Sequence, residues 1–264
     1  MKMNLLLDLV RGSGFSFAAL TTLAAFSAAG AYAADIPPRI DISYTVTSGN
    51  LEADMNDKVE IRQENGARSY AIYSEGRAKG LLALTQPDSV VRDSEGTITS
   101  QGLFRPGRFS DKHGNKPGKI AIFDWDKKLL TLQHKRGEEQ KPLPADTIDR
   151  LSLQYAFMFA PVPGKVVTVH ETDGRRIEPT RYAVGKETLD TPMGKLETVV
   201  LTKQLEKEGD RDKKIWLAVD HYMLPVRVVA AEKLGIVTDQ MVKKISYTEN
   251  RSTARNRGGC TKPG

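Results

Sequence analysis

The chain has 264 residues, with 39 lysines and arginines against 33 aspartates and glutamates and a formal net charge of +6. The basic excess is mild and spread out, without a dense basic and aromatic stripe, which excludes a dedicated nucleic-acid binder. One cysteine, Cys260, excludes an internal disulfide and a thiolate zinc cluster, so the core alone must hold the domain.

The N-terminus reads as an export signal. Lys2 and Arg11 precede an uncharged stretch of Ala, Leu and Phe over residues 14–30. Ala31-Tyr32-Ala33 then supplies small residues at the two positions a signal peptidase pocket requires. The stretch is short for a membrane span and rich in weakly apolar residues, so cleavage after Ala33 and release into the periplasm are expected. No later segment is long and apolar enough to span a bilayer as a helix.

The mature chain opens with Ile40, Ile42, Tyr44 and Val46 alternating with polar residues, the pattern of a half-buried strand. Residues 51–63 read as an extended, polar strand. Asn65-Gly66 is a hairpin dipeptide leading into a strand at 69–73. A short strand at 81–84, a turn at Gln86-Pro87-Asp88-Ser89 and a turn at Ser94-Glu95-Gly96 follow. Arg105-Pro106-Gly107-Arg108 and Asn115-Lys116-Pro117-Gly118 mark residues 105–119 as an exposed loop. Residues 120–122 and 129–132 form a hairpin through Trp125 and Asp126-Lys127, before a charged connection at 135–141.

One helix is expected. Asp146 or Thr147 can cap it. Ile148, Leu151, Tyr155 and Met158 fall on one helical face, and Leu153, Ala156, Phe157 and Phe159 cover most of the rest. A helix apolar nearly all round must be buried nearly all round. Pro161 and Pro163 end it.

Strand patterns return at 166–170 and 181–184, separated by a turn at Thr172-Asp173-Gly174. Thr191-Pro192-Met193-Gly194 has Pro and Gly where a type I turn prefers them. Strands at 196–202, 215–219, 224–230 and 236–247 complete the series, with a charged loop at 206–214. The fold expected is mostly β: a strongly curved antiparallel sheet or open β-barrel wrapping one buried helix. Residues 34–249 make one domain, and 250–264 make a basic, flexible tail that can touch anionic headgroups or an envelope glycan.

Two stretches carry a family likeness. Residues 189–198 read Leu-Asp-Thr-Pro-Met-Gly-Lys-Leu-Glu-Thr, and residues 215–220 read Ile-Trp-Leu-Ala-Val-Asp. With Leu224-Pro225-Val226-Arg227-Val228 and, upstream, Asp149-Arg150-Leu151-Ser152-Leu153, this order resembles the exported bacterial family known as domain of unknown function 3108. The hairpin from Trp216 to Arg227 is also similar to that of periplasmic lipoprotein carriers, whose half-barrels bind lipid chains. The first resemblance implies a location and a fold; the second implies an apolar ligand.

No catalytic constellation emerges. His113, His134, His170 and His221 are scattered, without the spacing of a local zinc pair. Asp124 and Asp126 sit where a hairpin turn needs local acceptors. Residues 54–58 place Lys58 where a calcium loop needs an oxygen ligand, and no Gly-x-Ser-x-Gly elbow occurs. No metal, cofactor or catalytic residue is therefore assigned, and the chain reads as a binding module rather than an enzyme. Trp216, Tyr155 and Phe159 are the candidate ligand-binding residues, as walls of an apolar cleft for a lipid or another apolar envelope component. The alternatives are a structural or interaction protein with a filled core and a hydrolase with a dispersed site.

Overall fold

The computed structural model describes residues 36–80, 83, 89–206, 209–231 and 236–248. The segment expected to be an export signal, the basic tail with Cys260 and most of the strand expected at 81–84 lie outside these residues. The first eight strands are β1 (Arg39–Ser48), β2 (Leu51–Glu64), β3 (Ala67–Ala78), β4 (Val90–Ile98), β5 (Phe104–His113), β6 (Lys119–Asp124), β7 (Leu129–His134) and β8 (Gly137–Pro142). A short β9 (Thr147–Asp149) follows. Then come β10 (Val166–Thr172), β11 (Ile177–Thr191), β12 (Gly194–Lys203), β13 (Lys213–Ala218), β14 (Leu224–Ala231) and β15 (Val237–Thr248).

All fifteen lie in one sheet, ordered β8-β7-β6-β5-β4-β3-β2-β1-β15-β14-β13-β12-β11-β10-β9. Two meanders thus join at the centre, where β1 pairs with β15. Neighbours are antiparallel except β9 and β10, which run parallel. Short hairpins dictate this pattern, because a tight turn returns the chain beside itself. Asn65 and Gly66 take the paired positive φ values, 50° and 80°, that a tight hairpin demands.

The sheet is not closed into a barrel: β8 and β9 are its hydrogen-bonding edges. It curls far enough that β9 lies against β5. An added Cβ at Gly174, in the β10–β11 turn, would fall 3.0 Å from Lys119 Cβ and 3.3 Å from Phe109 Cε1. The β9–β10 margin therefore packs on β5 and β6, and β6 to β8 extend beyond the point of contact.

Besides the charged connection at 135–141, most of which forms β8, two sequence expectations need correction. Residues 104–113 form β5, not an exposed loop. Ser94-Glu95-Gly96 lies within β4, where a bulge shifts the register against β5 between Glu95 and Gly96. A Cβ on Gly96 would fall 2.3 Å from the Arg105 carbonyl oxygen, so glycine is needed for that close approach. The bulge also accommodates Pro106 in a strand and buries Phe109 completely.

The second correction concerns the helix. Residues 147–160 run as β9, a 3-10 turn (Ser152–Gln154) and further turns, and no buried helix forms. The burial expected of it is present: Leu151, Leu153, Tyr155, Phe157 and Met158 are all buried. The conformation differs because the Asp149 carboxylate accepts the backbone N–H groups of Leu151 and Ser152, at 2.9 and 2.8 Å. Such local side-chain bonds compete with the helical ladder.

This segment plugs the sheet's inner face. Tyr155 donates its hydroxyl to Asp57 on β2 (2.6 Å), and Tyr70 on β3 bonds Ser152 (2.9 Å). Ser94 on β4 donates to Asp149 (2.7 Å). Around these bonds pack Ile40, Ile42, Tyr44, Ile72, Tyr182, Leu201, Ile215 and Val228. Paired polar atoms inside an apolar shell fix one position for the plug, since an unpaired one is costly to bury.

Candidate functional site

The three residues expected to wall an apolar cleft do not converge. Tyr155 is fully buried in the plug, with its hydroxyl on Asp57. Phe159 is half-buried, with its ring 6.2 Å from that of Phe104 and 5.4 Å from the Arg68 guanidinium. Trp216 lies on the other face of the sheet. The register links Asp57 to Ile42, then Tyr44 and Val46 to Val242 and Gln240, then Gln240 to Val228 and Val228 to Ile215. These share the plugged face, and Trp216, next to Ile215, points away from it. Lys214 Nζ and Arg227 Cζ lie 4.4 and 4.9 Å from the centre of its ring. Arg227 is held there by two bonds to Asp239, of 3.0 and 2.6 Å.

The histidines sit on separate partners. His170 meets Asp146 at 2.7 Å, His221 meets the Tyr247 hydroxyl at 2.7 Å, and His113 meets Asp111 at 3.1 Å. Asp124 accepts the Lys127 backbone N–H at 2.9 Å, the turn role expected of it. Trp125 donates to the Pro106 carbonyl at 2.6 Å.

A different group of residues does come together. Arg150 follows β9, and its N–H bonds the Thr172 carbonyl at the end of β10. Glu171 precedes that carbonyl on β10. Lys203 ends β12 opposite Tyr182, and Lys213 begins β13 opposite Ala230. Strand ends from four segments thereby line a cleft of about 100 Å³, rimmed by Asp173, Arg176, Glu178, Arg211 and Asp212.

At its base Lys213 Nζ meets Glu171 Oε1 at 2.6 Å, and the two side chains are only 11% and 16% exposed. Tyr182 donates its hydroxyl to the other Glu171 oxygen. Burial would push the Glu171 carboxyl up, but Lys213, Tyr182 and Arg150 outweigh it and hold it below the usual carboxylate range. Burial pushes the Lys213 ammonium down. Glu171 opposes that shift, and the positive charges of Arg150 and Lys203 add to it. Across the lining, five cations (Arg150, Arg176, Lys203, Arg211 and Lys213) face four carboxylates (Glu171, Asp173, Glu178 and Asp212), a net excess of one positive charge. Lys203 has no carboxylate partner among the described residues. Among the described residues, no hydroxyl, thiol or imidazole lines the cleft.

A second depression, of about 440 Å³, is lined on β2 to β5 by residues that include Arg62, Ser69, Tyr70, Glu95, Thr97 and Arg108. Its two cations are committed elsewhere, Arg62 to Glu60 at 2.7 Å and Arg108 to Asp93 at 2.9 Å. The first cleft is therefore the stronger candidate.

Sequence reasoning missed it because no local motif carries it. Its members are spread from residue 150 to residue 231, and only strand register joins them. The one sequence signal was the charged loop at 206–214, which holds Lys213 and Lys214 and closely follows Lys203.

The fold has known relatives. A crystal structure of a beta-barrel-like protein of the domain of unknown function DUF1849, from Brucella abortus, is similar over 81% of this chain and 99% of its own, with a TM-score of 0.50 and 12% identity. A DUF1329 family protein from Desulfovibrio piger aligns over 85% of this chain and 91% of its own, with a TM-score of 0.26 and 11% identity. The first likeness shows a shared β-barrel-like fold. No curated protein matches the sequence. Residues 43–242 match the family described as Protein of unknown function (DUF3108), a span from the middle of β1 into β15. The chain belongs to the DUF3108 family.

Proposed function

We propose that this protein is a non-catalytic binding module of the cell envelope that takes an anionic group, a phosphate or a carboxylate, in the cleft between β10, β12 and β13. The observation that carries this reading is Lys203, a part-exposed cation without a carboxylate partner among the described residues, in a cleft whose five cations exceed its four carboxylates. An incoming anion would neutralise the excess and accept charge-assisted hydrogen bonds, which are stronger than neutral ones. The volume suits a small oxyanion or a headgroup rather than an acyl chain. A lining without a hydroxyl, thiol or imidazole among the described residues supports binding over hydrolysis.

A filled interior supports a second reading, an interaction protein without a small-molecule ligand. The plug residues Leu151, Leu153, Tyr155 and Met158 occupy the inner face where a lipid chain would lie in a half-barrel carrier.

Isothermal titration of the mature chain with inorganic phosphate separates the two. Binding should be saturable, weaken with added salt, and be lost in Lys203→Glu, whose fold should survive because Lys203 is part-exposed. Absence of saturable binding by the wild-type chain, for phosphate and acetate alike, would favour the interaction reading.

A further inference from the structure

The end of the sheet that carries the cleft also carries exposed aliphatic side chains. In the order β2-β1-β15-β14-β13-β12, three successive hairpins turn at this end. Leu51 begins β2 opposite Ser48 and is 49% exposed. Val237 begins β15 opposite Ala231; it and Ile236 are each 50% exposed. Leu205 lies two residues beyond Lys203 and is 51% exposed. Ala230 and Ala231, at the base of the β14–β15 hairpin, themselves line the cleft.

Single exposed aliphatics are ordinary on a protein surface. Four on three adjacent tips, beside a cationic cleft, form a patterned surface. Among the described residues, Glu206 faces Arg181 at 3.7 Å, and Asp210 accepts the Glu206 backbone N–H at 2.9 Å.

We propose that this end docks on a bilayer surface, with Leu51, Leu205, Ile236 and Val237 entering the headgroup and acyl boundary while Arg150, Lys203 and Lys213 receive an anionic phosphate headgroup. This rests on the anion-binding reading of the cleft and names its occupant. Charge complementarity selects anionic lipid, and the tips supply the apolar contact without which a few charges hold a protein only weakly to a membrane.

Flotation of the mature chain with vesicles tests this. One set is phosphatidylcholine alone; the other is phosphatidylcholine mixed with phosphatidylglycerol. Wild type should float with the anionic vesicles only. The double variant Leu205→Ser, Ile236→Ser should bind them at least about tenfold more weakly, while its titration with inorganic phosphate matches wild type. Lys203→Glu should lose both. Wild-type phosphate binding without flotation would overturn the docking and leave the cleft reading standing, as would undiminished flotation of the double variant. Failure of wild type to bind phosphate would overturn the cleft reading, and the headgroup assignment with it.

Discussion

Buried carboxyl groups in this protein fall into two kinds, and the difference lies in what faces them. Asp111 is buried, but His113, Arg92 and Lys119 outweigh its desolvation and hold it well below the usual carboxylate range. Asp57 is buried with Ser74, Tyr155 and Arg92 near it, and desolvation wins, so its carboxyl is pushed up. Asp149 is pushed up for the same reason, against the bonds from Ser152, Ser94 and Leu151. A carboxyl whose folded value is raised binds protons more readily in the folded state. Its contribution to stability therefore falls as pH rises from the unfolded value, about 3.9, through the folded one. Asp57→Asn keeps an acceptor for the Tyr155 hydroxyl and removes the titration. Urea unfolding of variant and wild type from about pH 4 to neutral pH should show the variant gaining stability relative to wild type as pH rises. A relative stability that worsens over that window would mean the Asp57 carboxylate is stabilised, not penalised, by its surroundings.

Element boundaries were legible where periodicity and turn chemistry agreed. Ile40, Ile42 and Tyr44 alternate in β1 as their spacing predicts, Asn65-Gly66 closes the β2–β3 hairpin, and β13 pairs with β14 across residues 219–223. Legibility failed where one side chain overrode a pattern. Burial of residues 148–158 was readable from their composition, but an apolar stretch buried on all sides satisfies a helix and an irregular plug equally. Asp149, by capturing two backbone N–H groups, decided for the plug. In β5, Pro106 and Gly107 read as loop residues because the bulge that seats them depends on Gly96 of the neighbouring strand. The plug remains central to stability. Leu153 is completely buried at its middle, so Leu153→Ala should cost about 2–5 kcal/mol in denaturant unfolding. A loss below about 0.5 kcal/mol would place the segment outside the cooperative core.

At the scale of the molecule, one curled sheet solves the problem of a large β-domain without a disulfide. Its inner face is filled from within by the connection between its two meanders, and its free edge β8 is exposed along its whole length. That edge carries Glu138, Glu139, Lys141 and Pro142, residues that discourage edge-to-edge pairing with another chain. With the interior occupied, the places left for recognition are the strand ends and the turns between them. The cleft arises there because β10, β12 and β13 bring Glu171, Lys203 and Lys213 to the same end. Beyond the charged loop at 206–214, none of this was visible in the sequence, since charge at strand ends becomes a site only once register sets which ends are neighbours. The central claim is that this end, and no other part of the surface, receives an anion. Two-dimensional amide NMR of residues 34–264 titrated with inorganic phosphate tests it most directly. Saturable shifts should concentrate at residues 150, 171–176, 203 and 211–213, and vanish in Lys203→Glu. Shifts scattered over the surface without saturation, or centred on Arg62 and Arg108, would contradict it.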